Sequence, residues 1–75
     1  MLNDIAREAI WRFYRSKRGA LVLSQTQAAD AAKLHRTTLS KIEAGKIEPT
    51  PAQRRALARL LRVSVKDIPT TKRAA

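Results

Sequence analysis

The sequence predicts an all-α domain built from several short helices. Apolar residues recur at helical spacing in successive stretches, and the few Gly and Pro residues fall between those stretches. Two stretches open with a capping signature, Ser24-Gln25-Thr26-Gln27 and Thr50-Pro51-Ala52-Gln53. In this signature a hydroxyl and a glutamine satisfy the first amides of a helix. No segment of useful length alternates apolar and polar residues as a half-buried strand does.

Length and charge limit the classes of protein that this chain can be. Its 75 residues, 44% of them hydrophobic, suffice for one domain, which we expect over residues 1–68, followed by a flexible basic tail over residues 69–75. The formal charge of +10 indicates a polyanionic partner: nucleic acid, an anionic membrane surface or an acidic protein. Cysteine is absent, which excludes disulfides and thiolate metal sites. The N-terminal stretch has no apolar block, so we expect a cytoplasmic protein without a leader or a membrane span.

The first predicted helix starts at a cap, Asn3 or Asp4, and ends before Gly19. At about 100° per residue one side of this helix collects the residues expected to face the core. They are Leu2, Ala6, Ala9, Ile10, Phe13 and Tyr14. Leu21 and Leu23 then hold the connection to the core.

The next two predicted helices are short and separated by a tight turn. The second runs from Gln25 to about Ala32, and its inward alanines let another helix approach closely. Lys33 and Leu34 form the turn, and a third helix runs from about Arg36 to Ala44. This third helix buries Leu39 and Ile42, and Gly45 ends it.

The fourth predicted helix begins with Pro51 at its first position. It points four apolar residues inward, Leu57, Ala58, Leu60 and Leu61, and four arginines largely outward, Arg54, Arg55, Arg59 and Arg62. A last short helical turn opens at Ser64-Val65-Lys66-Asp67, and Pro69 closes it.

The third helix carries the functional signal. Arg36, Thr37, Ser40 and Lys41 give it a polar, basic face opposite its buried residues. The major groove of DNA admits one helix and offers acceptors on guanine and a methyl group on thymine. The pattern therefore favours DNA binding, with an ordinary solvated helix in a bundle as the alternative.

The stretch Leu23 to Lys46, LSQTQAADAAKLHRTTLSKIEAGK, together with Pro49 and Leu61-x-Val63-Ser64-Val65, resembles the lambda-repressor-like helix-turn-helix domains. This family is also described as Cro, phage-repressor or XRE type, and the resemblance covers roughly residues 10–68. It implies a compact five-helix fold and sequence-specific binding of double-stranded DNA. It also implies a transcriptional regulator, most simply a repressor that binds a palindromic operator as a homodimer.

The resemblance also assigns residue roles. It implies that Arg36, Thr37 and Lys41 read base edges; for each, a phosphate-only or solvent-facing position is the alternative. It assigns phosphate contacts to Gln25 and Lys46. Thr38 and Ser40, which fall beside the base-reading positions, and Lys17, near the same end of the helix, are further candidates for phosphate contacts. Gln25 would also brace the recognition helix, whereas Thr38 and Ser40 have an exposed polar position as the simpler interpretation.

Arg18 and Glu43 match a family ion pair that clamps the recognition helix, the alternative being that Arg18 points to phosphate. Four positions depart from the family pattern: Lys33 at a usual turn glycine, His35 at a usual Ser or Thr cap, Arg54 at a commonly apolar position, and Ala44. If Lys33 keeps the left-handed conformation, it costs on the order of 1 kcal/mol.

Trp11 falls off the buried side of the first helix, which suggests contact with a second chain or another protein. The alternative is an indole covered by the stems of Arg7 or Arg15. The resemblance places dimerisation nearer the last two helices, where Val63, Val65 and Ile68 could be shared.

Three other functions are weighed against a DNA-binding regulator. An antitoxin that also binds its own operator is the main alternative, motivated by small size and by Trp11. A membrane-surface binder is suggested by the arginines beside Trp11, but it leaves the capped downstream helices unexplained. An enzyme is disfavoured because the chain has one His and no carboxylate pair or metal-ligand cluster at a workable spacing. We therefore expect no cofactor, no metal and no membrane association.

Overall fold

The computed structural model describes residues 4–69, which form four α-helices and one 3₁₀ turn, without any strand. The helices are α1 (Asp4–Ala20), α2 (Gln25–Ala31), α3 (Arg36–Glu43) and α4 (Pro51–Leu61). The 3₁₀ turn covers Val65–Asp67. Within this part of the chain, no helix is both long and apolar enough to span a bilayer.

The predicted all-α class is confirmed, and the count of five helices is slightly too high. The two capping boxes are present: Ser24 and Thr50 each accept from the third helical amide, and Gln27 and Gln53 each accept from the amide of the capping residue. These reciprocal bonds explain why α2 and α4 start where the sequence predicts. The fifth element is a 3₁₀ turn of three residues because only Asp67 and Ile68 make bonds back to the third preceding residue there.

All four α-helices end in the same backbone motif. In each case a backbone amide donates a hydrogen bond to the carbonyl five residues earlier: Leu23 to Arg18, Leu34 to Ala29, Lys46 to Lys41, and Val63 to Ala58. This Schellman motif needs one residue in the left-handed conformation, for which glycine is the usual choice. Only α3 has a glycine there; the four residues are Val22, Lys33, Gly45 and Arg62.

The end of α1 is where the sequence prediction is wrong. Gly19 lies inside the helix, which continues to Ala20, and Val22 adopts the left-handed conformation instead. The sequence predicts the end at Gly19 because glycine usually fills the terminating position of a helix. Lys33 does keep the left-handed conformation, with φ of 59°.

The core joins residues from all four α-helices and their ends with Ile68, which directly follows the 3₁₀ turn. Its buried members are Ile10, Tyr14, Ala28, Ala29, Ala32, Leu39, Ile42, Leu57, Ala58, Leu61 and Ile68. Ala9 was expected among them but is exposed, and Leu2 lies outside the described residues. Phe13 packs partly buried against Tyr14, with ring centroids 5.3 Å apart in an edge-on arrangement.

Arg54 is the residue of α4 that departs from the family pattern. Its side chain is half-buried, and its Nε is buried without a hydrogen-bond partner within the described chain. A position that is commonly apolar in the family therefore holds an arginine, whose aliphatic stem packs against the fold.

Candidate nucleic-acid interface

Helix α3 is anchored by its apolar side. Leu39 and Ile42 are buried in the core, and α3 packs against both α2 and α1. Thr37 and Lys41 are exposed and lie one turn apart on the opposite side of the helix. Arg36 is exposed at the first position of the helix. Three polar side chains of the sequence prediction therefore share the open side of one rigid helix.

The C-terminal end of α3 is held by a buried carboxylate. Glu43 is fully buried, and Arg18 of α1 binds it with two bonds, Nε to Oε2 at 2.9 Å and Nη2 to Oε1 at 3.0 Å. Arg18 Nη1 also donates to the carbonyl of Leu23, at 3.3 Å. A bidentate arginine–carboxylate pair fixes both distance and orientation. It ties the end of α1 and the start of the next segment to α3.

Gln25 makes the third connection. Its Nε2 donates to Glu43 Oε1 at 3.1 Å, so the first residue of α2 is bonded to the last residue of α3. An amide group carries two N–H donors, and this bond uses one of them. Arg18, Gln25 and Glu43 together form what we call the clamp. The clamp fixes three helices relative to one another.

The remaining sequence-predicted phosphate contacts are spread around α3. Thr38 and Ser40 are half-buried on the flanks of the helix, and Lys46 is exposed just after Gly45. Lys17 is half-buried on α1, with its ammonium 6.0 Å from the centre of the Phe13 ring. Three of the four lie on or directly beside α3, whereas Lys17 comes from a separate helix one residue before Arg18.

His35 precedes α3 as its capping residue but makes no hydrogen bond from its side chain. Its side chain is exposed. The first amides of α3 consequently have no side-chain acceptor from the cap, in contrast to those of α2 and α4. Such amides bind water or an anionic oxygen.

The residues predicted to form a dimer interface differ in how much of their surface is exposed. Trp11 is 38% exposed, with the Arg15 guanidinium 5.6 Å from its ring centre. Val65 is 44% exposed. Ile68 is only 4% exposed because it packs into the core of its own chain. The expectation for Ile68 is therefore corrected: it offers almost no side-chain surface to a partner.

Sequence reasoning missed Val22 as a strained position and Leu23 as a partner of the clamp. Arg18 binds a backbone carbonyl of Leu23, and no side-chain pattern encodes such a contact. Val22 did have a signal in the sequence. Leu21 and Leu23 on either side are expected to hold the core, which leaves Val22 as the single residue for the turn between α1 and the cap of α2.

Comparison with known proteins identifies a family. A family model described as helix-turn-helix covers residues 15–68, which is more than two thirds of the chain. The matched segment contains the clamp, all of α2, α3 and α4, and the 3₁₀ turn. No curated protein matches the chain.

Proposed function

The chain belongs to the XRE, lambda-repressor-like family of helix-turn-helix domains, which are DNA-binding domains of transcription regulators, and from this we propose that it is a repressor. It binds a palindromic operator as a homodimer and inserts α3 of each copy into the major groove. The observation that carries the proposal is the exposed Arg36, Thr37 and Lys41 on a helix held by buried Leu39 and Ile42.

Base readout is proposed for the exposed side of α3. Arg36 and Lys41 donate to O6 and N7 of guanine, which together form the commonest specific contact in the major groove. Thr37 places its methyl group against a thymine methyl or its hydroxyl on a phosphate. Because the clamp holds the end of α3, the helix that carries these side chains needs little further ordering when it meets the bases.

Phosphate contacts are proposed for residues around α3. Lys46 and Lys17 supply charge, and Thr38 and Ser40 supply hydroxyl groups on the two flanks of the helix. Gln25 offers its second N–H to a phosphate while the first stays on Glu43. Phosphate contacts fix register and affinity, whereas base contacts select the sequence.

A homodimer follows from the size of the reading element. Eight residues make α3 about 12 Å long, which spans only a few base pairs. Two copies on half-sites roughly 34 Å apart double the sequence that is read. Val65 is the proposed centre of the interface between copies, since it is exposed and adjoins α4.

The antitoxin alternative depends on Trp11. An indole with more than a third of its surface exposed offers a contact for a protein partner. An antitoxin would form a stoichiometric complex with its toxin in addition to binding DNA. Co-expression with the product of the adjacent gene, followed by size-exclusion chromatography, tests this function separately from DNA binding.

Selection from random duplexes tests the proposed function. The full chain is incubated with a random duplex library, and the bound molecules are sequenced over several rounds. We expect two inverted half-sites separated by about one helical turn. An enriched pool without any base preference, or a chain that retains no duplex at moderate salt, would contradict the proposal.

A further inference from the structure

A groove lies between the C-terminal end of α2 and the middle of α4, away from the clamp. Its volume is about 400 Å³, within the range that accommodates one or two large side chains. Four apolar residues line it, Ala31, Ala32, Ala56 and Leu60, together with two cations, Lys33 and Arg59. Three of the six lining residues are alanines, whose small side chains leave the space between α2 and α4 unfilled.

The two cations at this groove form no ion pair within the described chain. Lys33 and Arg59 are exposed, and neither forms an ion pair or a side-chain hydrogen bond with residues 4–69. The carboxylate nearest to Lys33 along the chain is that of Asp30, which is exposed three residues earlier and does not pair with it. The groove therefore combines an apolar floor with two unpaired cations.

Lys33 occupies its position at an energetic cost. With φ of 59° it takes the left-handed conformation, in which glycine is unstrained and other residues cost roughly 1 kcal/mol or more. A glycine would satisfy the turn equally well but would remove the ammonium group from the groove.

We propose that this groove binds an acidic amphipathic segment of another protein. The segment places an aliphatic or aromatic side chain on the alanines and Leu60, and its carboxylates pair with Lys33 and Arg59. A second copy of this chain is the poorer fit because its surface offers few carboxylates to Lys33 and Arg59, with six Asp and Glu against sixteen Lys and Arg. The terminal residues outside the described range carry no carboxylate side chain, so they fit no better.

The position of the groove separates it from the proposed DNA surface and connects it to α3. Ala31 is the last residue of α2 and Gln25 the first, about 10 Å apart along the helix. Lys33 precedes Arg36 by three residues and belongs to the turn that leads into α3. A bound segment would therefore contact the turn without covering the residues proposed to read bases.

Fluorescence anisotropy with a synthetic peptide tests the proposal. The probe is a labelled helical peptide with leucines at i and i+4 and glutamates beside them, and a matched peptide has serines in place of the leucines. At about 0.15 M salt, which screens long-range attraction, we expect the full chain to bind the leucine peptide roughly tenfold more tightly than the serine peptide. Equal binding of the two peptides, or no binding of either, would overturn the proposal.

Variants of the chain locate the binding site. Arg59→Glu reverses a groove charge, and Ala31→Phe fills the groove from an exposed position without changing charge. We expect each to weaken peptide binding about tenfold, whereas Arg7→Glu, the same charge change on the exposed side of α1, changes it less than about twofold. Equal losses in Arg59→Glu and Arg7→Glu would overturn the proposal, as would unchanged binding by Ala31→Phe.

A duplex DNA competitor separates the two classes of polyanion. Unlabelled duplex is added to the complex of the full chain with the labelled leucine peptide. If the groove is a protein-binding site, the anisotropy stays high while the duplex binds. Complete displacement of the peptide would assign Lys33 and Arg59 to nucleic acid and overturn the proposal.

Discussion

Val22 is a β-branched residue in the left-handed backbone conformation, with φ of 55° and 86% of its surface exposed. Nothing packs against its side chain to repay the strain. Val22→Gly should therefore raise the free energy of unfolding by roughly 1 kcal/mol, after the larger chain entropy of the unfolded glycine variant is counted. Urea unfolding followed by circular dichroism measures the change.

Gly45 provides the matched control because it holds the equivalent position at the end of α3, with φ of 74°. Gly45→Ala should lower stability by roughly 1 kcal/mol. A Val22→Gly variant less stable than the parent would show that the turn after α1 is not strained.

Tyr14 carries a buried hydroxyl without a hydrogen-bond partner within the described residues. Burial, and secondarily the carboxylates of Glu43 and Glu48, raises the pKa of Tyr14 far above its ordinary value. Tyr14 is thus a neutral phenol in the folded state. Its contribution to stability is complete below the unfolded pKa of about 10 and is lost as the pH rises beyond that value.

Tyr14→Phe should accordingly leave stability nearly unchanged at neutral pH, since no bond of the hydroxyl is lost. Above about pH 10 the variant should become more stable than the parent, because the unfolded parent alone can ionise. Urea unfolding at neutral pH and near pH 10.5 compares the two proteins. A constant difference across that range would contradict the assigned cause.

At the scale of elements, the clamp is the principal polar connection between helices. Glu43→Ala would leave the Arg18 guanidinium, whose side chain is only 14% exposed, without its carboxylate. Removing one member of such a pair typically costs 3–5 kcal/mol, and we expect about 3 kcal/mol here because Arg18 keeps some access to water. Chemical unfolding of the variant measures this loss.

Glu8→Ala is the control for the clamp variant, since Glu8 pairs with Arg12 on the exposed side of α1. An exposed pair of this kind contributes less than about 1 kcal/mol. If Glu8→Ala and Glu43→Ala destabilise the chain equally, the clamp has no special role. Gln25→Ala should give an intermediate loss of about 1 kcal/mol, because one hydrogen bond to a buried charge disappears.

The sequence predicted helix starts better than helix ends, for a physical reason. Starts at Ser24 and Thr50 are encoded by side chains that bond the backbone directly. Ends are encoded by one backbone conformation, which Val22, Lys33 and Arg62 adopt despite carrying side chains. The amide of the next residue, which bonds back into the helix in each case, stabilises these ends, and no side-chain pattern encodes that bond.

The sequence also predicted the inward and outward sides of α3, because helical spacing fixes which residues share a side. Leu39 and Ile42 were assigned to the core, where they lie, and Arg36 and Lys41 to the surface. Ile68 was assigned to an interface although its own core covers it, since spacing alone cannot distinguish the two kinds of apolar contact. The sequence does not predict the groove beside α4, because the groove depends on the spacing of α2 and α4, which no local pattern encodes.

At the scale of the whole molecule, dimerisation decides how much DNA is read. Val65→Glu puts a charge at the proposed centre of the interface, where it would be desolvated on association. We expect the dimer dissociation constant to rise at least about tenfold, with a parallel loss of affinity for a two-half-site duplex and little change on a single half-site. Sedimentation equilibrium and anisotropy measure the two quantities.

Ser64→Ala is the comparison for that interface variant, since Ser64 is exposed next to Val65 but contributes no apolar surface. Its dimer constant should stay within about twofold of the parent value. An unchanged dimer constant in Val65→Glu would exclude this surface and leave Trp11 as the candidate.

The central claim is that α3 reads DNA sequence through its exposed side, and base preference in Arg36→Ala measures it most directly. Selection from random duplexes should show that Arg36→Ala loses discrimination at one base pair of each half-site, at a cost of roughly 1–3 kcal/mol. Lys46→Ala should weaken all duplexes alike and keep the same preferred sequence. If Arg36→Ala retains the full base preference of the parent chain, Arg36 does not read bases and the account is wrong.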